Sequence, residues 1–179
     1  MKGIVFTEFL ELVEDKFGIA MVEQIIDECD LKSQGVYTSV GTYSHKEMFA
    51  MVGKLSELKD IPVNQLLELF GEYFFTTLST GYPQFMDQPN MFTFLKTIDS
   101  YIHPEVLKLY PEAELPSFQA EMKGDDEMSL KYRSTRKMAD FAVGLIRGAA
   151  AFYGEKARVK KQEEFDEGQT VVINIKREA

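Results

Sequence analysis

Tyr132-Arg133-Ser134-Thr135-Arg136 places a phenol, an aliphatic hydroxyl and a guanidinium at alternate positions. Side chains two apart on an extended strand share a face, so these three groups would form a row roughly 13 Å long at about 3.3 Å per residue. The guanidinium offers a two-pronged fork to a carboxylate or phosphate, and the hydroxyls add directed donors. Met128 and Leu130 extend the same face with apolar surface. A ligand that is apolar in the middle and anionic at one edge suits such a clamp; a strand running into a helix with an exposed arginine fits the residues as well.

Working outward, residues 128–134 read as a strand and Lys137–Tyr153 as a helix with Met138, Phe141, Leu145, Ala149 and Phe152 on one face. Gly144 and Gly148 leave a thin spot on that helix, which close packing against another helix would use. Beyond it, Arg158–Phe165 and Thr170–Lys176 flank Asp166-Glu167-Gly168 as a terminal hairpin. Upstream, Pro111 and Pro116 bracket a loop, and Gly124-Asp125-Asp126-Glu127 is a turn.

The first hundred residues are helical in pattern. Val5, Phe6, Phe9, Leu10, Val13 and Phe17 mark a helix over 4–17 ending near Gly18, and Met21, Ile25 and Ile26 mark another over 20–29. Val36–Val40 fits a short strand or a loop. Ser44 with Glu47 reads as a capping box for a helix through Phe49, Met51, Val52 and Leu55. Pro62 opens a helix carrying Val63, Leu66, Leu67, Phe70, Phe74 and Leu78, which Gly81-Tyr82-Pro83 breaks. A further helix over 90–102 reaches His103-Pro104, where the proline should end or kink it. Helices first and strands later make an α+β chain, long enough at 179 residues for one domain with a sizeable core.

Composition narrows the function. A net charge of -9 argues against nucleic acid and anionic membrane as partners, because both demand clustered cation. Only Cys29 is present, so no internal disulfide forms, which fits a cytoplasmic protein. The N-terminus lacks the pattern of a secretory signal, and no stretch approaches the ~20 apolar residues of a membrane helix. Strings for a nucleophile elbow, a zincin or a phosphate loop are absent, and Asp125-Asp126 reads as a solvated turn, so the chain is expected not to be an enzyme. Of its two histidines, His45 reads as exposed in the first turn of a helix. His103, at the end of an apolar helix, reads either as a histidine favoured by the helix dipole or as a metal ligand.

Met1-Lys2-Gly3-Ile4-Val5, then His103-Pro104 with Pro116 beyond, then Tyr132-x-Ser134-x-Arg136, resemble an H-NOX domain. This is the haem–nitric oxide/oxygen-binding family, in its stand-alone bacterial type, related to the haem domain of soluble guanylate cyclase. The resemblance implies a single domain over 1–179, with a distal helical subdomain over about 1–60 and a proximal one over about 61–179. Helices of the N-terminal part would pack on a C-terminal part containing an antiparallel sheet, with haem b buried between.

By the same resemblance His103 is the proximal iron ligand, Tyr132, Ser134 and Arg136 bind the propionates, and Pro116 distorts the porphyrin. Val5, Phe74, Leu78, Phe141 and Leu145 would line the distal pocket, with Phe141 where oxygen-binding members carry a tyrosine. An apolar distal side implies a sensor of nitric oxide that also takes carbon monoxide, unless Tyr73 or Tyr43 supplies a hydroxyl. The family's switch is release of His103, and output would pass in trans to a histidine kinase or a cyclic-di-GMP enzyme. A haem carrier without signalling, or a carboxylate-binding module, is the alternative.

Overall fold

The structure, a computed structural model, describes residues 1–178 and divides into two compact units, Met1–Phe70 and Gly71–Ala179. The first unit is helical. It contains α1 (Gly3–Phe17), α2 (Ile19–Glu28), α3 (His45–Lys59) and the first turns of α4 (Val63–Gly81). Its core is Phe6, Phe9, Leu12 and Val13 of α1, Val22 and Ile25 of α2, Met48, Met51, Val52 and Leu55 of α3, and Leu66, Leu67 and Phe70 of α4. Leu12 is buried where Leu10 was expected, and Met48 where Phe49 was. In each helix the apolar stripe is wider than the buried face, and the neighbouring helix selects which flank is covered.

Residues 36–40 form a loop, tied back onto the chain start. Gly3 and Ile4 donate their N–H groups to Gly41 O at 2.9 Å and Ser39 O at 3.0 Å, and Tyr43 N–H donates to Met1 O at 2.9 Å. The approach is so close that a Cβ on Gly3 would lie 1.8 Å from Thr38 O. Gly3→Ala is therefore expected to destabilise the protein by about 1–3 kcal/mol, since both sides of the clash are backbone. Thermal melting checks this; an unchanged Tm would show that the loop yields freely.

The capping box at Ser44 is half formed. Ser44 Oγ accepts from Lys46 N–H at 3.3 Å, while the Glu47 carboxylate turns away to accept from the Ser33 and Tyr37 hydroxyls at 2.5 and 2.9 Å. Glu47 is buried, and two hydroxyls satisfy it better than a single backbone N–H would.

The second unit is α+β. It contains the rest of α4, α5 (Met91–Thr97), a π-helical turn over Ile98–Ile102, α6 (His103–Leu109), β1 (Ser117–Met122), β2 (Glu127–Arg133), α7 (Ala139–Phe152), β3 (Lys156–Phe165) and β4 (Thr170–Glu178). The strands pair antiparallel in the order β1-β2-β4-β3. Met128, Leu130 and Tyr132 of β2 and Val171, Ile173 and Ile175 of β4 share one buried core with α5 and α7.

On α7 the side chains in that core are Ala139, Ala142, Val143, Ile146, Ala149 and Ala150. The expected face holds at Met138 and Ala149, which are buried, and at Leu145, which packs half-buried against the core; it is corrected at Phe141, which is half-buried, and at Phe152, which is 50% exposed. Small residues let the helix come close to the sheet, which leaves the large ones for its other side. There α4 meets it backbone to backbone. A Cβ on Gly71 would lie 2.3 Å from Phe141 O, and one on Gly148 2.6 Å from the Phe75 Cβ. The thin spot expected at Gly144 and Gly148 is thus filled by α4.

Candidate functional site

His103 stands at the junction of two helical geometries. Its backbone N–H donates to Ile98 O, five residues back, closing the π-helical turn. Pro104 has no N–H to donate, so the chain cannot continue a regular ladder through this point. The helix was expected to end or kink before Pro104. Instead His103 keeps helical angles, φ -60° and ψ -41°, and α6 continues to Leu109. The widened turn relieves the steric conflict that usually precedes a proline.

The turn also sets the histidine against an acid. Asp99 Oδ1 is buried and lies 2.9 Å from His103 Nδ1, and Asp99 Oδ2 accepts the Phe118 N–H at 2.7 Å. Burial lowers the His103 pKa below the usual histidine range, with Asp99 opposing it. A neutral imidazole beside a carboxylate carries its proton on Nδ1, which leaves the Nε2 lone pair for a metal. Asp99 was missed in the sequence, although a carboxylate four residues before a histidine on a helix is the legible signal.

Phe118 links this histidine to the polar stretch on β2. Its ring centre is 5.9 Å from that of His103 and 5.6 Å from that of Tyr132, its partner across β1 and β2. Tyr132 is 2% exposed, and its hydroxyl accepts the Met138 N–H at 3.1 Å. Burial raises its pKa, against hydrogen bonds from Ser134 and Met138 and the charge of Arg136.

The extended row of alternating groups is corrected. β2 stops at Arg133, Ser134 N–H bonds Gln169 O at 2.8 Å, and Lys137 takes a left-handed φ of 54°. Ser134 Oγ accepts the Arg136 N–H at 3.2 Å. A tight turn therefore gathers Tyr132, Ser134 and Arg136 around one junction in place of a line.

Arg136 points into a cavity of about 230 Å³ lined by Glu114, Leu115, Ser117, Arg133, Ser134, Thr135 and Gln169. Its Nη2 lies 3.0 Å from Glu114 Oε2, and its Nε is buried with no partner. An unpaired buried guanidinium N–H is costly, so this edge is chemically suited to an added anion. Glu114, Arg133 and Gln169 were not singled out in the sequence; the first two are exposed charges of a kind found all over the surface.

Pro116 is half-buried in the loop between α6 and β1. Phe74 and Phe141 pack with ring centres 5.7 Å apart, Leu78 lies one turn on from Phe74, and the Leu145 backbone abuts Gly71. Val5 is half-buried on α1 in the first unit. The Tyr43 hydroxyl accepts the Thr38 N–H at 2.9 Å within its own loop, and Tyr73 is half-buried on α4. His45 is half-buried and meets Phe49 edge-on, against the exposed position expected for it. Among the described residues no cluster of three or more His, Cys, Asp or Glu could hold a metal ion, and no helix is long and apolar enough to cross a membrane.

Comparison with known proteins bears on the family and the fold. A family model described as Haem-NO-binding matches residues 2–161. A search of curated proteins found no match. Among solved structures, the Fe(II) unliganded H-NOX protein from K. algicida is similar at 38% identity and a TM-score of 0.94, covering 100% of this chain and 97% of that one. The H-NOX from Shewanella woodyi, bound to IWP-051 in the Fe(II)CO state, is similar at 42% identity and a TM-score of 0.84, over 99% and 95% of the two chains. An S. oneidensis H-NOX protein in the Fe(II)NO state is similar at 25% identity and a TM-score of 0.92 over the full length of both. With the family model spanning most of the sequence, this chain belongs to the H-NOX family of haem-based gas-sensor domains.

Proposed function

We propose that the protein senses nitric oxide through a ferrous haem b and signals in trans to a partner protein, without catalysing a reaction itself. The observation that carries this reading is the His103–Asp99 pair: an imidazole whose Nδ1 lies 2.9 Å from a buried carboxylate oxygen, an arrangement that turns Nε2 outward to ligate. The residues fit the cofactor on chemistry of their own. His103 would take the iron. Tyr132, Ser134 and Arg136 would take the propionates, with the orphaned Arg136 Nε as the donor in want of an anion. Pro116, in the loop after His103, would press a rigid ring on the porphyrin. When bound, ferrous haem supplies an iron centre that binds diatomic gases.

The protein's own share of the work is orientation and selection. Asp99 keeps His103 in one tautomer and one rotamer. It also bonds Phe118 N–H, so any displacement of His103 is felt at β1. Two arrangements of this contact, biased by ligand, would give a partner two surfaces to distinguish. The partner is proposed to be a histidine kinase or a cyclic-di-GMP enzyme, acting in the cytoplasm, where a chain with one cysteine is at home. The domain itself is proposed to comprise a distal part over about 1–60 and a proximal part over about 61–179.

Selection among gases rests on Phe74, Leu78, Phe141 and Leu145, and on Val5 of the first unit, all apolar. Bound dioxygen draws negative charge, and a hydrogen bond donated to that charge contributes roughly 1.5–3 kcal/mol, or about one to two decades in affinity. Nitric oxide needs far less help. The reduced protein is therefore expected to bind nitric oxide and carbon monoxide and to show no stable dioxygen spectrum in air. Phe141→Tyr should recover part of the dioxygen affinity. A stable dioxygen spectrum of the unaltered protein within seconds of exposure to air would reveal a donor and overturn the selection argument.

A further inference from the structure

Arg136 already has a carboxylate on it, and that carboxylate belongs to the protein. Glu114 Oε2 lies 3.0 Å from Nη2, while the Glu114 side chain is 79% exposed and that of Arg136 only 15%. The guanidinium is thus fixed in the junction and the glutamate is the partner that can leave. Glu114 sits on the loop joining α6, which begins at His103, to β1, and it lines the same cavity as Ser134, Thr135 and Arg133. The second edge of Arg136, through the buried Nε, has no partner.

We propose that Glu114 is a competing carboxylate that occupies the propionate clamp and sets how readily haem enters and leaves. This rests on the reading of Arg136 as a propionate ligand. A planar guanidinium shared by two carboxylates gives less to each than one devoted to a single anion, and two like charges on one cation repel. Glu114 pays little to swing into water, because an exposed ion pair contributes little. The cofactor therefore displaces it, at some loss of affinity, and the empty clamp is re-covered by Glu114 when haem departs. An acid on this loop trades tight retention for exchange.

Removing the charge and keeping the shape tests the idea. Glu114→Gln, loaded with haem, should transfer its haem to excess apomyoglobin about two- to fivefold more slowly than the unaltered protein, the range an exposed ion pair commands. Equal or faster transfer from Glu114→Gln would overturn the proposal, since Glu114 would then be inert or would serve to orient Arg136. Arg136→Ala runs in parallel. If it retains haem as well as the unaltered protein, the clamp reading itself fails. If it sheds haem or cannot be loaded, while Glu114→Gln exchanges at the unaltered rate, only the competition fails.

Discussion

His103→Gly is expected to yield protein that retains no haem after reconstitution and desalting, and to recover a Soret band when free imidazole is supplied. Two features make the effect large. Among the described residues Asp99 Oδ1 has no partner other than His103 Nδ1, so the imidazole is the one group that this carboxylate orients. The sole other histidine, His45, lies in the first turn of α3 with its ring against Phe49, within the other unit. Removing the ring leaves a space one imidazole wide beside a carboxylate able to accept its N–H, so the small molecule can enter in the same tautomer. The measurement is the absorption spectrum of the reduced variant with and without imidazole. A normal ferrous spectrum without imidazole would remove His103 from the iron.

How much of this was legible in the sequence depends on what each element answers to. Helices with strong 3.6-residue patterning and clear punctuation were readable nearly to the residue: α1 over Gly3–Phe17, and α4 from Val63 after Pro62 to Gly81 before Pro83. The terminal hairpin was readable because a turn at Asp166–Gly168 separates two runs of β character. Faces were less legible. On α7 both the alanine side and the phenylalanine side look apolar, and the sheet takes the alanines because a short side chain lets the axes approach.

The site was legible in its residue types and not in its shape. An alternating polar triplet implies a straight row, yet the strand ends at Arg133 once Ser134 N–H finds Gln169 O, a partner 35 positions away that no local pattern reveals. Asp99 was within reach, four residues before His103. What hid it was the assumption that the helix fails before Pro104, when a π-helical turn carries the chain through and brings the acid under the ring. Glu114 was beyond reach, since its meaning comes only from its distance to Arg136.

Arg136→Ala is expected to leave largely haem-free protein under conditions that saturate the unaltered chain. Deleting one partner of a mostly buried charge pair costs about 3–5 kcal/mol, because the surviving charge is stranded. That corresponds to roughly two to three and a half decades in affinity. Stranding is severe here because Arg133, the other cation lining the cavity, is exposed, and the hydroxyls of Tyr132 and Ser134 can donate hydrogen bonds to a carboxylate but bring no charge. Arg136→Lys should recover only part of the loss: an ammonium restores the charge but cannot offer Nε and an Nη together to one carboxylate. The order Arg, then Lys, then Ala in haem affinity, read by titrating the apo proteins with haem and following the Soret band, is the signature of a forked contact. Equal affinity for the Lys variant would reduce Arg136 to a point charge, and equal affinity for the Ala variant would move the propionates elsewhere. The loss should not extend to the fold, because the sheet core of Met128, Leu130, Tyr132, Val171, Ile173 and Ile175 does not include the Arg136 side chain, so the helical and sheet signals of the apo variant should match those of the unaltered apo protein.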